Sequence, residues 1–215
     1  MNEVIQKKLD DFFLKYKKVH YKKGTIIIRA GEDPSGICYL KEGFVKQYAI
    51  SVKGEELMVN MFKAGSFFPM SWAINQTPNN FFFEALTDVK AMCAPRAAVV
   101  KFIKENPDVL YDLLARVYKG VDGILMKMVY LMAGNAYSRL IVEIIILAKR
   151  IGVIKEPGAE LVVSEKDLAS QTGMTRETVS REIKILKDKG LVTYEKNKFI
   201  ISDLQKLENE LGENI

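Results

Sequence analysis

Apolar residues along this chain change their period near residue 106. Between about residues 20 and 95, short β-prone runs, Thr25–Arg29, Ile37–Lys41 and Phe44–Ile50, are separated by Gly24, Gly31, Gly36, Gly43, Gly54 and Gly65. That spacing predicts the short strands of a β-sandwich or roll. In Glu55–Phe62, Leu57, Val59 and Met61 alternate with Met58, Asn60 and Phe62, as expected of a strand buried on at least one face. Asp33–Pro34 and Lys53–Gly54 supply turns.

At Asn106-Pro107-Asp108 an N-cap residue followed by proline at the first helical position predicts a long helix. Leu110, Leu114, Val117, Val121, Ile124, Met128 and Leu131 step alternately by four and three, the seam of a two-stranded coiled coil. The next step lands on polar Asn135, where the helix ends or hinges. A stripe of this kind also fits one helix packed on its own domain. Pairing is favoured because about 28 residues at ~1.5 Å each outreach a small β-roll. Gly120 and Gly123, between seam positions, allow close helix contact or a bend. A second helix is predicted near Ala136–Ile151, a loop over Gly152–Gly158, then two short helices, a two-stranded β-wing near Glu195–Lys198 and a last helix opening at Asp203. Three parts follow: a β-roll with flanking helices over 1–105, a dimerisation helix over 106–135, and a winged helix-turn-helix over 136–215.

The two short helices carry their own punctuation. Ser164 precedes Glu165-Lys166-Asp167 as an N-cap, with an acidic third residue resembling a capping box. Thr175 caps the next helix, which Gly190 closes by accepting a left-handed conformation. Gly173 occupies the turn, and Ala169 is small enough for one helix to cross closely over the other. At about 100° per residue, Arg176, Ser180, Lys184, Glu177 and Arg181 fall on one arc, opposite Val179, Ile183 and Leu186. A polar reading face thus backs an apolar docking face, and Lys184, Lys187 and Lys189 follow for phosphate contacts.

Composition adds limits. The 215 residues hold 32 Lys and Arg against 27 Asp and Glu, a net charge of +5, compatible with a polyanionic partner. No run of 18 uncharged apolar residues occurs, and the start, Met1–Lys7, lacks the apolar stretch of a signal peptide. A cytoplasmic protein with no membrane partner is expected. Cys38, Cys93 and His20 are too few and too scattered for a Cys/His metal site, so no metal is expected. Both cysteines, among apolar neighbours, read as buried packing thiols, with oxidation sensing as the less favoured alternative. Neither a Ser-His-acid set nor a phosphate-binding glycine loop occurs, which argues against an enzyme.

Thr175-Arg-Glu-Thr-Val-Ser-Arg181 resembles the recognition-helix signature of the Crp/Fnr family, the regulators related to the cyclic-AMP receptor protein and the fumarate-nitrate regulator. Gly31-Glu32 with Pro34, Gly43, Gly54-Glu55, Pro95-Arg96 and the long helix lie in the family's order, so the resemblance runs from roughly residue 10 to 201. It implies an α+β architecture: an N-terminal β-roll of the cupin-like, cyclic-nucleotide-binding type, a dimerising helix and a C-terminal winged helix-turn-helix. It also implies a homodimer that binds palindromic double-stranded DNA, with TG-containing arms, and adjusts transcription with RNA polymerase. The candidate DNA contacts are Thr175, Arg176, Glu177, Ser180, Arg181, Lys184 and Lys187.

The departures from the family matter as much. In cyclic-nucleotide-binding members a Gly-Glu pair contacts the ribose, and an Arg-Ser or Arg-Thr pair holds the cyclic phosphate. Here those places carry Phe68-Pro69 and Asn79-Asn80, and the helix positions facing adenine carry Ile124 and Leu125. The expected cofactor list is therefore empty: cyclic AMP loses its clamp, haem has only His20 to draw on, and the oxygen-sensing branch's N-terminal cysteines are absent. The aromatic segment from Phe67 through Phe83 is either a filled core or an apolar effector pocket. The pocket would be lined by Phe68, Met70, Trp72, Asn79, Asn80, Phe82, Ile124 and Leu125. The alternative to a DNA-binding regulator is a ligand-binding scaffold whose helix-turn-helix grips protein. Arg176, Glu177 and Arg181 on one face favour DNA.

Overall fold

The computed structural model describes residues 3–52 and 54–212, so Lys53 of the expected Lys53–Gly54 turn lies outside the described residues. The chain forms two compact units, one running to Val117 and the other starting at Tyr118, and the division falls within the long helix.

The first unit is a roll of two four-stranded antiparallel sheets. Its elements are α1 (Glu3–Phe13), β1 (Lys17–Tyr21), β2 (Ile26–Ile28), β3 (Ile37–Glu42), β4 (Val45–Ile50), β5 (Glu56–Phe62), β6 (Phe67–Phe68), α2 (Met70–Asn75), β7 (Phe82–Ala85), β8 (Val89–Ala94) and α3 (Arg96–Glu105). One sheet runs β1-β8-β3-β6 and the other β2-β7-β4-β5. Alternation sends the β3 side chains to two different cores. Cys38 and Leu40 enter the roll with Phe68, Phe83, Val89 and Ala91, while Ile37 and Tyr39 pack outward against Leu9 and Phe13 of α1 and Val99 and Ile103 of α3.

Two expectations are corrected here. In β5, Met58 and Met61 are buried rather than every second residue. Gln47 pairs Asn60 and Tyr48 pairs Met58, leaving Val59 as an extra residue that bulges outward. The cysteines are not separate packing thiols. Cys38 and Cys93, 55 residues apart, stand opposite each other in the β3–β8 register and form a disulfide, with Cα atoms 4.0 Å apart.

The long helix, α4 (Pro107–Ala133), begins where Asn106 ends α3. The Asn106 side-chain amide donates back to the Phe102 carbonyl, while its own carbonyl accepts from Leu110 of α4. Val109 and Leu113 bind α4 to the outer cluster of the roll. Arg116 adds a polar staple by donating to the Gly65 carbonyl at 2.9 Å and pairing with Asp112 at 2.8 Å.

Beyond the elbow come α5 (Ala136–Ile151), β9 (Val153–Lys155), β10 (Gly158–Val162), α6 (Glu165–Thr172), α7 (Arg176–Asp188), β11 (Val192–Glu195), β12 (Lys198–Ile201) and α8 (Leu204–Gly212). The expected loop at Gly152–Gly158 is in part a strand, and the expected two-stranded wing is half of a sheet ordered β11-β12-β10-β9. Isolated hairpins are marginal, and the added strands bury Ala159 and Leu161 beneath the wing. Lys196 and Asn197 both take positive φ in the tight β11–β12 turn.

Gly158 is where β10 meets β12 most closely, since a Cβ there would lie 1.9 Å from the Ile201 carbonyl oxygen. Gly158→Ala is therefore expected to push the strands apart and cost about 1–3 kcal/mol. A lowered melting temperature of the second unit checks it, and an unchanged one would contradict it.

Candidate nucleic-acid interface

Helix α7 is built by local caps and held by a shared core. Ser164 Oγ accepts from the Asp167 N–H, and Thr175 Oγ1 accepts from the Thr178 N–H, each meeting one orphan donor of a helix start. Gly173, at φ +64°, makes the left-handed turn between α6 and α7. Val179, Ile183 and Leu186 are buried with Leu168 of α6 and Leu140, Ile141 and Ile144 of α5. This fixes the opposite side of α7 outward. Thr175, Arg176, Glu177, Ser180, Arg181, Lys184 and Lys187 are all exposed.

Two carboxylates, not singled out in the sequence, orient the arginines. Arg176 Nε donates to Glu165 at 3.2 Å. Arg181 donates through Nε and Nη2 to one oxygen of Glu182, at 3.1 and 2.9 Å. Glu182 is itself buried, so the Arg181 fork is braced by a carboxylate that has given up most of its water. Glu177 sits in the first turn, where its own backbone N–H and the Thr175 hydroxyl hold its carboxyl below the usual range. It faces outward as an ionised acceptor. Lys189 is turned elsewhere: it donates to Glu210 at 2.6 Å and lies over the Tyr137 ring, which ties α7 to α8 and α5. No adjacency in sequence signals that last contact.

Along α4 the seam residues are exposed, from 40% at Val121 to 55% at Ile124, with Leu110, Leu114, Val117, Met128 and Leu131 between. Each Cβ-less face of Gly120 and Gly123 opens on free space. The carboxy-terminal end of α4 is closed by Arg139, which donates to the Tyr130 and Leu131 carbonyls. Lys127 pairs at 2.6 Å with Glu143 of α5. Burial raises the Glu143 carboxyl above its ordinary range, and Lys127 draws it back.

The residues proposed to line an effector pocket are dispersed. Phe68 is fully buried inside the roll and stacks on Phe83 at 5.5 Å, with Phe62 beside both. Met70 and Trp72 pack against the outer cluster. Phe82, on the opposite face of β7 from Phe83, stacks on Tyr48 at 5.1 Å. Asn79 is buried and its amide donates to the carbonyls of Arg29 and Phe81, at 2.9 and 2.8 Å, whereas Asn80 is exposed. Ile124 and Leu125 are exposed on α4. Among the described residues no helix is long and apolar enough to cross a membrane.

Comparison with known proteins matches both halves of the chain. The cyclic nucleotide-binding domain family covers residues 18–106, and the Crp-like helix-turn-helix domain family covers residues 138–210. The chain is 25% identical to the cAMP-activated global transcriptional regulator CRP of Haemophilus influenzae, over 85% of this chain and 83% of that protein. It is also 25% identical to the global nitrogen regulator of a Nostoc species, over 84% and 83%. A transcriptional regulator of the CRP/FNR family from Thermus thermophilus shares its fold, with a TM-score of 0.72 at 23% identity, over 91% of this chain and 98% of that one.

Proposed function

The chain belongs to the Crp/Fnr-type transcription regulators, with a helix-turn-helix DNA-binding domain and no enzymatic role, and from that premise we propose that it binds a palindromic operator as a homodimer through α7. One observation carries this reading: Arg176, Glu177, Ser180 and Arg181 are exposed together on the side of α7 opposite buried Val179, Ile183 and Leu186. Arg176 and Glu177 lie in the first turn, which reaches deepest when a helix enters the major groove by its N-terminus. Arg donates two bonds to guanine O6 and N7, and Glu accepts from the cytosine amino group, so the set suits G·C pairs. Thr175, Lys184 and Lys187 flank that set for phosphates. Regulation then follows from how the bound dimer meets RNA polymerase.

Selecting bound DNA from a random pool, with and without a small-molecule cell extract, tests the function directly. An inverted repeat with half-sites about 34 Å apart is the expected product. Enrichment of no sequence would overturn the reading.

Cyclic AMP is not the effector in this proposal. At the family's phosphate position Asn79 spends its amide on the Arg29 and Phe81 carbonyls, and Pro69 brings no carboxylate to a ribose. Losing a charge-assisted phosphate contact costs about 1.5–3 kcal/mol. Calorimetry at tens of micromolar, roughly the range of about −6 to −7 kcal/mol, is expected to detect no cyclic AMP binding. A micromolar Kd, or an operator affinity raised about tenfold by the nucleotide (~1.4 kcal/mol), would refute this.

A further inference from the structure

Cys38 and Cys93 take no part in reading DNA or in the apolar stripe of α4. They face the interior of the roll and are joined across β3 and β8, yet they are not equivalent. Cys38 is buried, whereas Cys93 is only partly buried and stands opposite Lys17 of β1 in the antiparallel register. Residues directly opposed in such a pair share one sheet face, with Cβ atoms about 4.5–5.5 Å apart. Lys17, an exposed residue, is therefore the cross-strand neighbour of the partly buried Cys93. Partial exposure lets an oxidant reach the Cys93 side, and a second cysteine within bonding reach resolves the product.

We infer that Cys38 and Cys93 form a reversible redox modification site, oxidised by hydroperoxides to the cross-strand disulfide and reduced by cellular thiols, and that its state sets operator affinity. The last clause rests on the DNA-binding function proposed above. A regulator that meets DNA in a compartment buffered by thiols carries a disulfide as a transient signal rather than a permanent staple.

The chemistry needs no further group. The Cys93 thiolate attacks one oxygen of hydrogen peroxide, the S–O bond forms, the O–O bond breaks, and the departing hydroxide takes up the proton Cys93 gave up, leaving as water. The Cys38 sulfur then attacks the sulfenic sulfur, the S–S bond forms, and the second hydroxide leaves as water with the Cys38 proton. The pair loses two electrons and the peroxide gains them. An external dithiol reverses the change by exchange, leaving as its own disulfide.

The site is also placed to be felt. Cys38 pairs in register with Phe68, whose ring stacks on Phe83 and touches Phe62. The adjacent Phe67 lies beneath the Arg116 guanidinium of α4, at 5.2 Å. Interiors pack as densely as organic crystals, so replacing one covalent link by two separate thiols obliges β3, β6 or the aromatic stack to shift. Phe67 and Arg116 bring that shift to α4.

The test uses full-length protein, wild type and Cys38→Ser, with hydrogen peroxide and dithiothreitol as probes. Alkylation in denaturant followed by mass spectrometry should find both cysteines free after reduction and neither after stoichiometric peroxide, with a Cys38–Cys93 crosslink that dithiothreitol removes. Cys38→Ser should halt at a sulfenic acid on Cys93 that reacts with dimedone. Operator affinity of the two wild-type forms should differ at least about fivefold, the lower end of ordinary allosteric couplings. A disulfide that survives dithiothreitol in the folded protein, or thiols that peroxide leaves free, would overturn the redox site. Equal affinity of the two forms would overturn its regulatory role while leaving DNA binding intact. If neither form binds any sequence, the DNA-binding function itself fails, and with it the regulatory clause, while alkylation still decides the redox site.

Discussion

An Arg181→Ala protein is expected to bind its operator about 5- to 150-fold more weakly, the equivalent of 1–3 kcal/mol, and to lose base preference at one position in each arm. Arg181 is exposed on α7, one turn beyond Glu177, and its fork is held in place by Glu182 before DNA arrives. The guanidinium thus reaches a guanine with part of its ordering cost already met. Truncation also strands the buried Glu182 carboxylate, which lowers stability as well as affinity. A melting curve for each protein separates the two effects, and Arg181→Lys sharpens the test because a single ammonium cannot make the bidentate contact. Lys187→Ala serves as the contrast, since loss of a phosphate contact weakens all sequences alike and reduces the salt slope by about one. At fixed salt, an Arg181→Ala protein with full affinity and unchanged base preference would falsify the assignment.

The second large effect is on assembly. Val121→Glu combined with Met128→Glu is expected to convert a micromolar dimer into a monomer in sedimentation. Both side chains sit on the exposed stripe of α4, two helical turns apart. In a two-fold pair each stripe faces its own copy, so the double substitution sets four carboxylates into one apolar seam. Desolvating a charge without a partner costs several kcal/mol, more than a seam of this length recovers. Since both residues are exposed, the fold of each unit should survive, and far-ultraviolet circular dichroism should not change. Operator affinity should collapse toward that of one half-site. A dimer indifferent to the double substitution would place the contact elsewhere.

The helix proposed to read DNA, α7, is legible because its signals are local. Ser164, Thr175, Gly173 and Gly190 act on backbone groups within one helical turn, and Val179, Ile183 and Leu186 repeat at the helical period. The same pattern did not reveal Glu182. It lies near the edge of the docking face, and burial there follows from how closely α7 packs on its neighbours. Likewise Lys189 read as one more phosphate-facing lysine, although Glu210 of α8 and the Tyr137 ring claim it.

The sheets were legible only in outline. Glycines and β-prone runs announced a roll, but pairing is a property of strands far apart in the chain. The bulge at Val59 is set by how β4 turns across β5. Asn79 finds one of its acceptors, Arg29, 50 residues away. The segment after α5 reads as a loop because β9 and β10 are short, and they become strands only by adding to the wing.

The order of parts, the caps and turns of the helix-turn-helix, the apolar stripe of α4 and the residues that face outward on α7 are all written in the chain locally, because each depends on contacts a few positions apart. Packing alone divides the aromatic segment between the roll interior and two other surfaces. Packing likewise sets Glu182 against Arg181 and brings Cys38 to Cys93. Those outcomes depend on strand register and helix packing, where a shift of one residue turns every side chain to the other face.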